Sequence, residues 1–249
     1  MKIVAVIPAR YNSSRFLAKP LADIFGKPMI WWVYEQVKKV NEFNEVYVAT
    51  DDDRIAEICT KYNLNYIMTS TAHGTSTERL FEVAQSIGAD YYVCINGDEP
   101  LIDPEIIRRI LPINKTENEI YVANLMSEIK NPVEAVDSTN IKVVVNSKGY
   151  AMFMSRSPIP YPKSSMDFSY KKHLGVLVYN YLALEFFNNT QRNAVEKVED
   201  INELRFIENG EKIKMIEVVA DTLSVDTPKD LEKVIAIIEE RLQIGGGKQ

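Results

Sequence analysis

The chain has 249 residues, 46% of them hydrophobic, with 29 Lys and Arg against 35 Asp and Glu for a net charge of −6. That length suffices for one large core, and the acidic balance excludes a nucleic-acid scaffold, which needs a broad basic face. No apolar run reaches the roughly 20 residues that span a membrane, and the two cysteines, Cys59 and Cys94, lack metal-ligand company and read as reduced core thiols of a cytoplasmic protein.

Ile3–Ile7 is an unbroken apolar run, the pattern of a strand buried on both faces. Pro8 and Arg10 cut it too short for a secretion signal. It opens into a loop carrying Arg10, Arg15 and Lys19, three cations within ten residues. Ligands of α/β proteins bind where strands end at their C-terminal edge. Cations fixed there suit a polyanion, above all a triphosphate; the plainer alternative is a solvated basic loop.

Met29–Val40, opened by Pro28, is an expected helix. Val46–Thr50 is a second strand running into Asp51-Asp52-Asp53, and Arg54–Tyr62 a short helix. The acidic triplet admits a metal reading, but carboxylates between a strand and a helix more simply cap the helix and complement its dipole. Tyr66–Thr69 is a third strand and Thr77–Ile87 a helix. Between them, His73 to Arg79 offers hydroxyls and backbone N–H groups suited to a polar ring or an oxyanion, with Thr75 and Ser76 in reach; Ser76 or Thr77 can also cap the helix. Tyr91–Ile95 is a fourth strand ending in Asn96-Gly97-Asp98-Glu99-Pro100, and Pro104–Leu111 a short helix. This alternation predicts a mostly parallel central sheet with helices on both faces, a Rossmann-like α/β fold.

The rhythm then changes. Ile120–Met126, Ile141–Val145 and Tyr150–Met154 are strands without long helices between them, and Asn146–Gly149 is a hairpin turn. Pro158–Ser169 is an ordered loop or lid, His173–Tyr179 a strand, Val198–Glu208 a helix, Lys214–Val218 a strand and Pro228–Leu242 the last helix. One domain over 1–242 is expected, with 120–180 as a smaller β-rich subdomain for acceptor binding or dimerisation and 243–249 as a tail.

Asp98 and Asp226 lie in two separate acidic turns. Converging, they would suit Mg²⁺, which takes one or two protein carboxylates plus substrate oxygens; apart, Asp98 forms a turn and Asp226 caps a helix. His73 and His173 are the two histidines, candidates for a general base or for orienting substrate oxygens. Arg156 suits a carboxylate-bearing acceptor, with Lys163 assisting, unless it pairs with Glu196 or Glu199. The chain lacks the P-loop, the dinucleotide fingerprint and a C-x-x-C pair, which disfavours an ATPase of that class, a dinucleotide oxidoreductase and a zinc enzyme.

Taken in order, I-P-A-R-Y-x-S-S-R-x-x-x-K-P-L, G-K-P-M-I, A-T-D-D, H-x-x-x-T-E-R, N-G-D-E-P, S-R-x-x-I-P, H-L-G, E-x-x-E-x-x-x-x-L-R and V-D-T-P-x-D-L-E resemble the 3-deoxy-manno-octulosonate (Kdo) cytidylyltransferases, from Met1 to about Leu242. The resemblance implies a nucleotide-diphospho-sugar-transferase fold and a homodimer. It also implies Mg²⁺-dependent transfer of CMP from CTP to a sugar-acid acceptor with release of pyrophosphate, in surface polysaccharide synthesis. Carried over, Arg10, Arg15 and Lys19 match the triphosphate loop, and His73, Thr75, Ser76 and Arg79 a nucleotide segment. Asp98 and Asp226 match metal ligands, and Asn96, Arg156, Lys163, His173, Glu196 and Glu199 acceptor positions. Lys19, Arg15 and Asp98 would carry catalysis. Four positions depart from the family pattern: Asn96 for Gln, Ser76 for Gly, Leu177 for Tyr and Lys163 for Arg. They keep open an amino-Kdo, another ulosonate or a phosphoglycerate as acceptor. A glycosyltransferase using Asp51–Asp53 and a nucleotide-binding sensor without turnover also stay open.

Overall fold

The computed structural model describes residues 1–12, 16–116, 118–165, 167–220 and 223–246. In chain order its elements are β1 (Ile3–Ala9), β2 (Asp23–Ile24), β3 (Lys27–Pro28), α1 (Met29–Lys38), β4 (Glu45–Thr50), α2 (Asp53–Lys61), β5 (Tyr66–Met68), α3 (Ser76–Ser86), β6 (Tyr91–Ile95) and α4 (Pro104–Arg108). There follow β7 (Val122–Glu128), α5 (Pro132–Val136), β8 (Lys142–Val145), β9 (Ala151–Ser155), β10 (Lys171–Tyr179), α6 (Tyr181–Asn189), α7 (Ala194–Glu199), α8 (Leu204–Glu208), β11 (Ile213–Glu217) and α9 (Pro228–Gly246).

The central sheet has the order β11-β7-β10-β6-β1-β4-β5. β1 is parallel to both β4 and β6, β4 to β5, and β11 to β7. β10 runs antiparallel between β6 and β7, which brings its first half, with His173, to the C-terminal end of β6. β8 touches β10 and pairs with β9 as an antiparallel hairpin. The turn joining them is the expected one: Asn146 Oδ1 accepts the N–H groups of Lys148 and Tyr150, and Gly149 takes φ 76°.

Side-chain alternation explains the apolar opening. Ile3, Ala5, Ile7 and Ala9 join one core with Ile30, Val33, Tyr34 and Val37 of α1, while Val4 and Val6 join a second with Leu80, Val83 and Ala84 of α3. A strand covered on both faces has no use for polar residues. A third cluster packs Val225, Val234 and Ile238 on Ile24 and Met29, docking the start of α9 beside the loop that follows β1.

Two expectations need correction. The helix expected over Val198–Glu208 is two helices: α7 stops at Asp200, whose left-handed φ of 52° cannot propagate a helix, and α8 starts at Leu204. The helix α6 is not expected from the sequence because its nine residues, apolar on several faces, show no clear period; Asn180 Oδ1 caps it by accepting the N–H of Ala183. Among the described residues, no helix is long and apolar enough to cross a membrane.

Candidate active site

The site is built where β1 and β6 end. Gly97 follows β6 at a point where a Cβ would lie 3.0 Å from the Pro8 carbonyl oxygen and 3.4 Å from Ile7 Cγ2. The turn therefore passes close over the end of β1, where an added Cβ would be tight, and the crossing presents Asp98 to Lys19. Lys19 opens a single 3₁₀ turn, Lys19–Leu21, entered through Ala18 at φ 58°. Its Nζ lies 2.7 Å from Asp98 Oδ2 and 3.5 Å from Asp226 Oδ1. The two acidic turns are also tied by backbone, the Val225 N–H donating to the Asp98 carbonyl at 2.9 Å.

Thr227 accepts the Asp230 N–H, while the Asp230 carboxylate accepts from the Thr227 N–H and hydroxyl at 3.1 and 2.8 Å. The helix start is therefore served by Thr227 and Asp230. Asp98 in turn keeps Oδ1 buried without a hydrogen-bond partner. Burial, and then the neighbouring Asp98 charge, push the Glu99 carboxyl up to about 7.

A buried, unpartnered carboxylate oxygen beside a second carboxylate is the donor set that magnesium takes when substrate oxygens complete its shell. Among the described residues no group of three or more His, Cys, Asp or Glu could form a closed cage. The pair fits a cation that arrives with a phosphate-bearing ligand.

Beside it lies a polar cleft of about 240 Å³, lined by Arg10, Thr75, Ser76, Asn96, His173 and Glu203 among others. Arg10 is exposed, its Nη1 3.5 Å from the Gly74 carbonyl. Arg15 lies outside the described residues. Thr75, rather than Ser76 or Thr77, caps α3: its hydroxyl accepts the Glu78 N–H while the Glu78 carboxylate accepts the Thr75 N–H, a reciprocal capping box.

Other candidates stand away from the cleft. His73 is bonded to Glu82. Arg79 is 1% exposed, with its guanidinium on Asp51 at 2.8 Å and on the Thr69 hydroxyl, so it clamps the ends of β4 and β5 to α3. Asp52 caps α2 by accepting the Arg54 N–H. The acidic triplet is thus the helix start that its position suggests, with Asp51 held by Arg79.

On the acceptor side, the cleft takes Asn96 and His173. Asn124 Nδ2 donates to the carbonyls of Leu174 and Val176, which fixes its Oδ1 as the acceptor facing His173 Nδ1 at 2.8 Å. Nδ1 must therefore carry the proton, leaving Nε2 of the neutral ring as an acceptor. Burial holds the imidazole below its ordinary pKa. The unfolded chain takes up that proton near pH 6.5 and the folded chain resists it, so stability falls as the pH drops from 7 towards 5. His173→Gln is expected to lose less stability over that interval than the wild type, read from urea midpoints at pH 7 and 5.

The remaining expected acceptor residues are engaged elsewhere. The Arg156 guanidinium donates to the carbonyls of Glu199 at 2.6 Å, Ser138 at 3.0 Å and Asp200 at 3.0 Å. The Glu199 carboxylate accepts from the Ser155 hydroxyl at 2.5 Å and the Arg156 N–H at 2.8 Å. Glu196 is 0% exposed and makes a bidentate pair with Arg205 at 2.8 and 2.7 Å. Lys163 is exposed and does not line the cleft. Sequence reasoning missed Arg192, Asp200, Asn202 and Glu203, which do line it. The expected helix over Val198–Glu208 would have put Glu199 and Glu203 near one face; the break at Asp200 separates them.

A cytidylyltransferase family model matches residues 4–213. The chain is 39% identical to the mitochondrial 3-deoxy-manno-octulosonate cytidylyltransferase of Arabidopsis thaliana, over 96% of this chain and 84% of that protein. It is 40% identical to the 3-deoxy-manno-octulosonate cytidylyltransferase of Escherichia coli, over 97% of this chain and 98% of the other. A solved CMP:2-keto-3-deoxy-manno-octonic acid synthetase complexed with CTP matches with a TM-score of 0.90 at 40% identity, covering 97% of this chain and 100% of that one.

Proposed function

Because the chain belongs to the 3-deoxy-manno-octulosonate cytidylyltransferase family, we propose that it transfers CMP from CTP to Kdo, giving CMP-Kdo and pyrophosphate. The observation that carries this reading is the meeting of Asp98 and Asp226 on Lys19 at the C-terminal edge of the sheet, beside a cleft lined by Arg10. Two carboxylates drawn from turns in opposite halves of the chain have no structural need to converge on one ammonium.

In the reaction, the anomeric hydroxyl oxygen of the acceptor bonds to the α-phosphorus as the bond from that phosphorus to the bridging oxygen of the β-phosphate breaks, pyrophosphate departs in line, and the hydroxyl proton passes to water. The protein's task is alignment and charge neutralisation more than covalent chemistry. Arg10 and Lys19, with Arg15 beyond the described residues, take up negative charge on the triphosphate and on the leaving pyrophosphate. Asp98 and Asp226 would hold Mg²⁺, whose chemistry there is charge neutralisation of phosphate oxygens. Neutral His173 offers Nε2 to a substrate hydroxyl. Arg79 and the Thr75 capping box act at one remove, fixing the segment that carries Ser76.

Three of the four departures from the family pattern, Ser76, Asn96 and Leu177, line the cleft. Asn96 and Leu177 bear on the acceptor and Ser76 on the nucleotide segment, and none of the three belongs to the carboxylate pair. The reading includes a cytoplasmic homodimer serving surface polysaccharide synthesis; the compartment is supported by Cys59 and Cys94, both buried free thiols. The test is pyrophosphate release from CTP with Kdo, 8-amino-Kdo, neuraminate and phosphoglycerates. Turnover strongest with a Kdo-type acid and abolished by EDTA is expected. Binding of CTP with no turnover on any acid would reduce the protein to a nucleotide sensor.

A further inference from the structure

Strands β7 and β10 fall out of step beside the cleft. His173 stands opposite Met126 and Leu177 opposite Asn124, so three residues of β10, Leu174 to Val176, face the single Leu125. A bulge leaves backbone groups without ladder partners and re-aims the side chain next to it. Here the freed carbonyls are met one by one. The Gly175 carbonyl accepts the Asn96 N–H at 2.8 Å, and the bulge lies so close to Asn96 that a Cβ on Gly175 would stand 2.5 Å from Nδ2. The Leu174 and Val176 carbonyls accept from Asn124 Nδ2 at 2.9 and 3.0 Å.

Asn124 is 0% exposed, and both polar atoms of its carboxamide are engaged. Turned over, the amide would set its oxygen against two carbonyl oxygens, so it has one orientation. That orientation puts Oδ1 2.8 Å from His173 Nδ1. The bulge needs only the amide nitrogen; the oxygen acts on the ring. A hydrogen bond at one imidazole nitrogen decides the state of the other. With Nδ1 spent inside the sheet, Nε2 is the nitrogen that His173 has left for the cleft it lines.

Resting on the cytidylyltransferase reading, we propose that Asn124 is a positioning residue of the reaction: one buried carboxamide holds the bulge and keeps the His173 proton on Nδ1, so that Nε2 meets a substrate hydroxyl as an acceptor. Without Oδ1, a proton on Nδ1 is buried with no partner, while a proton on Nε2 faces the cleft. The ring then changes tautomer and presents a donor where an acceptor stood.

The experiment joins imidazole nitrogen NMR to steady-state pyrophosphate release, for wild type, N124A, H173Q and the double variant, with CTP and Kdo varied separately. The chain has two histidines, so H173Q assigns the spectrum and His73, bonded to Glu82, serves as its reference. Wild-type His173 is expected to carry its proton on Nδ1 with Nε2 bare. N124A should move proton density to Nε2 and lower kcat/KM for Kdo about tenfold, with the KM for CTP within about twofold. In the H173Q background the same substitution should cost little more, because Asn124 acts through the ring.

A wild-type proton on Nε2 overturns the proposal, and this result decides the matter even if N124A fails to fold. So does a His173 spectrum unmoved in N124A, an equal loss towards both substrates, or a full further loss in the double variant; the last two mark a merely structural residue. Absence of wild-type turnover with every acid removes the cytidylyltransferase reading and the role in the reaction together. Wild-type turnover with a His173 ring indifferent to Asn124 removes the proposal alone.

Discussion

Replacing Asp98 with alanine is expected to lower pyrophosphate release by about a thousandfold or more and leave the unfolding midpoint within about 1 kcal/mol of wild type. The asymmetry follows from what Asp98 does and does not support. Its Oδ1 is buried with no partner, so the fold draws nothing from that oxygen. Its Oδ2 holds Lys19, which retains Asp226 at 3.5 Å when Asp98 is gone. The backbone link from Val225 to the Asp98 carbonyl survives any side-chain change. The chemistry has no such reserve. Removing a single pre-organised group that stabilises developing charge costs about a hundred- to a thousandfold, and Asp98 both positions Lys19 and offers its free oxygen to a divalent cation. Turnover near wild type in Asp98→Ala would refute the metal assignment, and a collapsed melting temperature would recast the residue as structural.

Glu196→Ala is expected to do the reverse, costing about 3–5 kcal/mol of stability while leaving kcat/KM of the folded protein nearly unchanged. The family resemblance puts Glu196 at the acceptor, but it is wholly buried and forked onto Arg205. Arg205 also donates to the Phe187 carbonyl and stacks on the Phe187 ring, its Cζ 3.7 Å from the centroid. Truncating Glu196 strands that guanidinium in the core, and an uncompensated buried charge is the costly outcome of breaking such a pair. Glu196→Ala with Arg205→Met removes both charges and should recover part of the loss, as a double-mutant cycle would register. Urea unfolding measures the first effect. A large rise in acceptor KM at a temperature where the variant is fully folded would return Glu196 to the binding site.

How much of this is readable in the residues themselves differs from place to place. The sheet is readable because strands buried on both faces must be apolar throughout, and Tyr91–Ile95 falls on the boundaries its composition suggests. Asp98 and Lys19 are readable as chemistry because fixed charges at strand ends have few structural uses. Their meeting with Asp226 is not readable, since it depends on the docking of α9 through Val225, Val234 and Ile238. The acceptor side is hardest. Charged side chains such as Arg156, Glu196 and Arg205 can serve a ligand or the fold equally well by type; which they do here depends on a left-handed residue, Asp200, that breaks one expected helix into two. The same break separates Glu203, which lines the cleft, from Glu196 and Glu199, which do not.

The most direct measurement is anomalous diffraction from crystals grown with CTP and Mn²⁺ in place of Mg²⁺. The peak should lie on the carboxylates of Asp98 and Asp226, with the triphosphate against Arg10 and Lys19. A nucleotide bound in the cleft with its metal held away from both aspartates, or a nucleotide seated at a different edge of the sheet, would contradict the assignment.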